Sequence, residues 1–101
     1  MNYELSVLPE AEADLAEAYH WHEERVPGLG ILFRDRVDEC LMRIQRNPFA
    51  YQVVHGQVRR ALLRKYPYGI FYFVEEETIV IIGCFHGRRD PQVWKTRAEN
   101  L

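Results

Sequence analysis

Ile70-Phe71-Tyr72-Phe73-Val74, then Glu75-Glu76-Glu77, then Thr78-Ile79-Val80-Ile81-Ile82-Gly83-Cys84-Phe85: two apolar runs joined by a charged turn decide how this chain folds. β-Branched and aromatic residues fill both runs and the turn is short, so the pair reads as an antiparallel hairpin. Neither run alternates with polar residues. Strands that are apolar on both faces belong at the centre of a sheet covered on both sides.

Upstream of this hairpin, Pro67-Tyr68-Gly69 is a break. Before it, Val58 to Lys65 reads as a third strand, with Val58, Arg60, Leu62 and Arg64 on one face and Arg59, Ala61, Leu63 and Lys65 on the other. Tyr51-Gln52-Val53-Val54 is a short extended piece. Ahead of Pro48 the period changes to that of a helix. Phe33, Val37, Cys40, Leu41 and Ile44 form one stripe, ended by Asn47-Pro48. Ala11, Leu15, Ala18, Tyr19, His22 and Val26 form another, opened by Pro9 and stopped by Pro27-Gly28-Leu29-Gly30. The link between them is short enough to force an antiparallel helical hairpin. Tyr3 to Leu8 alternates as a first strand.

The order is strand, helix, helix, three strands. It predicts one α+β domain over residues 1–101, with the helical hairpin on one face of a mainly antiparallel four-stranded sheet. Two helices cover only one face. The other, assigned Arg60 and Tyr72 by alternation, needs the C-terminal tail or a partner chain over it.

The chain has 101 residues, 48% hydrophobic and 28% charged, which excludes intrinsic disorder. Its N-terminus lacks the pattern of a signal peptide, and no apolar run is long enough to span a bilayer, so the expected location is the cytoplasm. Cys40 and Cys84 sit in apolar patterns and read as reduced core thiols. Net charge is −2, which argues against a surface that coats nucleic acid throughout. Residues 1–56 carry five basic and ten acidic side chains, residues 57–101 eight basic and five acidic, so any anion-facing surface belongs to the second half.

Common catalytic and cofactor signatures are missing. Gly28-Leu29-Gly30 follows no strand and lacks the third glycine of a phosphate loop. His20 and His22 are two residues apart on a helix and point to different sides, and neither cysteine has a ligand pair nearby. Neither a metal nor a cofactor is expected. Ser6, the only serine, lies in a strand. What remains is a basic and aromatic group: Arg59, Arg60, Arg64, Lys65, Tyr68, His86, Arg88, Arg89 and Trp94. Such a group can hold a phosphodiester for cleavage or clasp the carboxylates of a protein partner. Composition favours the partner.

The run Arg59-Arg60-Ala61-Leu62-Leu63, the run Tyr66-Pro67-Tyr68-Gly69-Ile70-Phe71-Tyr72 and the closing Phe85-His86-Gly87-Arg88-Arg89-Asp90-Pro91 with Trp94 resemble the RelE/ParE superfamily of bacterial type II toxins, in its ParE-like, plasmid-stabilisation branch. The resemblance extends over nearly the whole chain and to Glu12-Ala13-Asp14-Leu15 and Tyr19. It implies a growth-inhibiting toxin neutralised by a cognate antitoxin, reaching operator DNA only through that antitoxin. Two targets are known in the superfamily: messenger RNA in the ribosome, cut by RelE-like members, and DNA gyrase, poisoned by ParE-like members.

For the RNA-cutting alternative the resemblance carries over Arg60 and Arg88, with His86 as the proton-transfer group. The other basic positions fall on Leu62 and Gly69, and the C-terminal tyrosine position falls near Trp94, which exchanges no proton. The gyrase-directed reading is therefore preferred. Its expected partner residues are Arg60, Arg64, Tyr72, Arg88, Arg89 and Trp94, with Trp21 as a further anchor. A third reading is a co-repressor that has lost toxicity.

Overall fold

The predicted hairpin is the centre of the molecule. In the computed structural model, which describes residues 2–101, β4 (Tyr68–Glu75) and β5 (Thr78–His86) pair antiparallel around Glu76 and Glu77. Glu76 takes the left-handed conformation of that tight turn, at φ 55°. On one side β3 (Val58–Leu62) pairs antiparallel with β4, and β2 (Gln52–His55) with β3. On the other side β1 (Glu4–Val7) lies parallel to β5. The order is β1-β5-β4-β3-β2. The sheet therefore has five strands, not four, because the extended piece after Tyr51 joins it as an edge strand. The α+β class and the helical hairpin are as expected.

Helices α1 (Pro9–Arg25) and α2 (Leu29–Arg46) cover one face. The link between them is tighter than its proline and glycines alone require. The Glu23 carboxylate accepts hydrogen bonds from the Gly28 and Gly30 N–H groups, both at 2.9 Å. Those groups open α2 and have no intrahelical partner. The backbones are close: a Cβ on Gly30 would stand 2.8 Å from the Tyr19 carbonyl oxygen. Under the hairpin lie Phe33, Ile44, Ile70, Tyr72, Ile79 and Ile81, each no more than 1% exposed.

A third helix, α3 (Pro91–Glu99), closes part of the opposite face. Asp90 caps it by accepting the Gln92 N–H at 2.9 Å, and Pro91 takes the first position. Its Trp94 stacks on Phe71 at 5.1 Å and packs with Val58, Ile82 and Phe85. So the tail does fold back on the second face, as one of the two expected covers.

A bulge in β5 sets which residues face which helix. Phe71 pairs with Gly83 and Tyr72 with Ile81, which leaves Ile82 as the extra residue. Ile79 and Ile81 face the hairpin and Ile82 faces α3, but beyond the bulge Cys84 returns to the hairpin side. Tyr72 corrects the expected alternation. It pairs with Arg59, not Arg60, faces the helices, and donates its hydroxyl to the Pro48 carbonyl at 2.7 Å. Strands apolar on both faces carry no parity signal, so only the register could assign it.

Candidate functional site

The end of β5 is where α1, α3 and the basic segment after His86 converge. β1 stops at Val7, and the Leu8 N–H closes that pairing on the Ile81 carbonyl at 3.0 Å. From Ile82 onward the outer edge of β5 has no neighbouring strand among the described residues. Side chains take its place. Arg97 Nη1 donates to the Ile82 carbonyl at 3.2 Å, and Asp14 Oδ2 accepts the Cys84 N–H at 3.1 Å. Arg97 and Asp14 also form a two-point ion pair, Nη1 with Oδ2 and Nη2 with Oδ1. Gly83 makes room for it, since a Cβ there would lie 2.8 Å from Arg97 Nη1. A partly buried, charge-assisted pair thus joins α1, β5 and α3.

Just beyond this clamp is a recess of about 240 Å³. Glu17, Ala18 and Trp21 of α1 form one wall, Tyr68 and Cys84 the floor, and His86 with Arg89 the far end. Trp21 is 50% exposed, with the Arg25 guanidinium 4.0 Å from its ring centre. His86 Nδ1 accepts the Arg88 N–H at 3.0 Å. Arg88 and Arg89 are exposed, and no acidic side chain lies within ion-pair distance of either among the described residues. Arg89 lies 5.6 Å from the Phe85 ring centre.

The other expected partner residues are dispersed. Arg60 pairs with Phe71, on the α3 side. Its stem lies over Gly69, where a Cβ would stand 2.9 Å from Arg60 Cγ, and its Nη2 reaches Gln52 at 3.5 Å. Leu62, on the same face, is 59% exposed. Arg64 is exposed beside α2, 3.8 Å from Glu39. Tyr72 is fully buried and Trp94 is 8% exposed, so both hold the fold and offer no contact surface. Stacking on Phe71 draws Trp94 inward, whereas its polar surroundings in the sequence suggested a surface anchor.

Both cysteines are buried and held as thiols. Burial pushes the Cys40 thiol up to about 11 and the Cys84 thiol up to about 12, so neither ionises near neutral pH. Burial among Phe33, Tyr66 and Tyr68 lowers the pKa of His22, and the charges of Arg25 and His86 lower it further. No cluster of metal-ligating side chains occurs among the described residues. Among them too, no helix is long and apolar enough to cross a membrane.

Sequence reasoning missed the Asp14–Arg97 clamp. One trace of it was present: Asp14 sits at helical spacing between Ala11 and Ala18, an acid beside an apolar stripe.

A family model described as the ParE toxin of the type II toxin–antitoxin system parDE matches residues 5–91, ending at the first residue of α3. The chain belongs to the ParE toxin family. Toxin ParE2 of Mycobacterium tuberculosis is 29% identical over 92 residues, covering 90% of this chain and 88% of that protein. Among solved structures, the chromosomal ParDE system of P. aeruginosa has a chain with a TM-score of 0.74 at 20% identity, covering 83% of this chain and 95% of its own. A free, doubly substituted E. coli RelE toxin also reaches 0.74, at 16% identity, covering 100% of this chain and 99% of its own. The fold is thus that of the RelE/ParE superfamily, and membership of a toxin–antitoxin family implies a cognate antitoxin as partner.

Proposed function

We propose that this ParE-family chain stops growth by gripping a protein target, DNA gyrase, and that its antitoxin relieves the arrest by covering the same arginine-bearing surface. The supporting observation is the placement of the groups an RNA-cutting site would need. Arg60 faces α3, whereas His86 stands on the α1 side of the sheet beside Trp21. General acid–base catalysis requires such groups within hydrogen-bond reach of one phosphodiester, and a sheet separates these two. Next to Arg60 the face offers Leu62 and Gly69, which neither hold a phosphate by charge nor move a proton. Exposed arginines and a half-exposed tryptophan are, by contrast, the side chains that dominate protein interfaces.

Expression in a bacterial host without antitoxin tests this reading. The expected result is growth arrest with double-strand DNA breaks, a DNA-damage response and intact messenger RNA. Cleaved messenger RNA on ribosomes, with intact DNA, would overturn it. No arrest at all would favour a co-repressor that has lost toxicity.

A further inference from the structure

We infer that the open edge of β5 at Cys84–His86 is a docking site for an extended peptide segment of a protein partner, one that alternates apolar and acidic residues. This rests on the reading that the chain acts through protein contact, and it names where and in what conformation a partner binds.

The pattern of backbone hydrogen bonds carries the argument. The Cys84 N–H points away from β4, because it donates to Asp14. The Gly87 N–H points toward β4's end, because it donates to the Pro67 carbonyl. Donors and acceptors alternate sides along a strand. Tyr68 agrees, spending its carbonyl on Leu63 and its N–H on the Tyr66 carbonyl, neither on β5. So the Cys84 carbonyl and the His86 N–H both point outward, past the end of β1 and into the recess. Arg97 and Asp14 close the two groups before them, Ile82 C=O and Cys84 N–H. The clamp therefore stops one step short and leaves one acceptor and one donor at the spacing a neighbouring strand uses.

The walls select the side chains. Successive residues of an added strand point to opposite faces. On the α1 side they meet Ala18 and the Trp21 ring, an apolar surface, with Glu17 beside it to repel an acid. On the α3 side they meet Arg89, which lies against Phe85 and has no acid within ion-pair distance among the described residues. Apolar toward α1 and carboxylate toward Arg89 is the pattern that fits.

The test uses the full chain, labelled with nitrogen-15, and a capped hexapeptide of alternating valine and aspartate. A valine–lysine hexapeptide and a hexauridylate serve as competitors. The valine–aspartate peptide is expected to shift the His86 amide and the Trp21 indole signals and to slow His86 amide exchange at least tenfold. Arg89→Glu, an exposed substitution that leaves the core intact, should transfer the preference to the lysine peptide. Three results would overturn the proposal. The His86 amide could stay unmoved at millimolar peptide. Both peptides could bind equally, or only the β1 or β2 edge could respond. The hexauridylate could displace the peptide or shift the same signals alone. Failure of the gyrase reading would appear separately, as growth arrest without DNA damage, and leave this peptide result untouched.

Discussion

The two faces of the sheet are built differently. The face under α1 and α2 is sealed by two long helices and holds Phe33, Ile44, Tyr72 and Ile79, each almost fully buried. The opposite face depends on α3, nine residues long and too short to be stable alone. Trp94 and the Arg97–Asp14 pair fasten it, and Leu62 and Arg60 remain at its margin. The difference teaches where stability and binding separate. The hairpin face makes most of the fold, whereas the α3 face and the rim at the end of β5, where Trp21 of α1 stands beside His86 and Arg89, carry the exposed aromatic and basic groups.

The largest effects should show this asymmetry. Phe33→Ala should cost about 4 kcal/mol, loosening α1, α2 and the sheet together in a denaturation experiment. Trp94→Ala should cost about 3 kcal/mol, and hydrogen exchange should show α3 losing protection while α1 keeps it. Equal loss of protection across both helices would break the comparison. Next comes the clamp. A double-mutant cycle of Asp14→Ala and Arg97→Ala should give a coupling of about 1–2 kcal/mol, read from urea midpoints. Additive effects would mean that α3 is held by Trp94 alone. Tyr72→Phe should cost about 1 kcal/mol with no change in antitoxin affinity, since its hydroxyl is spent on Pro48. A large affinity loss would return Tyr72 to the contact surface.

The smallest effect is a pH dependence. Burial holds the His22 pKa below its ordinary value of 6.5, so the unfolded chain binds the proton more readily. Its contribution to stability is present above pH 6.5 and is lost as pH falls below it. Thermal melts from pH 7 to pH 5 should show this loss, and His22→Phe should flatten the slope. An unchanged slope would place the sensitivity on another group.

Much of this was legible in the sequence. The β4–β5 hairpin followed from two apolar runs, and the helical pair from stripes spaced at three and four. The family resemblance, resting on Tyr66 to Tyr72 and Phe85 to Pro91, agrees with the matched family model. Other features were hidden for physical reasons. The extra residue at Ile82 reverses side-chain parity without altering composition. Tyr72 was assigned to the wrong face because both sides of β4 are apolar. Asp90-Pro91 was a readable helix start, yet the polar residues around Trp94 disguised α3 as a tail. Asp14 and Arg97 are 83 positions apart, and only the folded chain brings them together.

The most direct test of the central claim is a supercoiling assay with purified chain, DNA gyrase and relaxed plasmid, with and without antitoxin. The account predicts lost supercoiling and trapped, cleaved DNA at micromolar chain, both reversed by antitoxin. Undiminished supercoiling at that concentration, from a chain that still arrests growth, would contradict it.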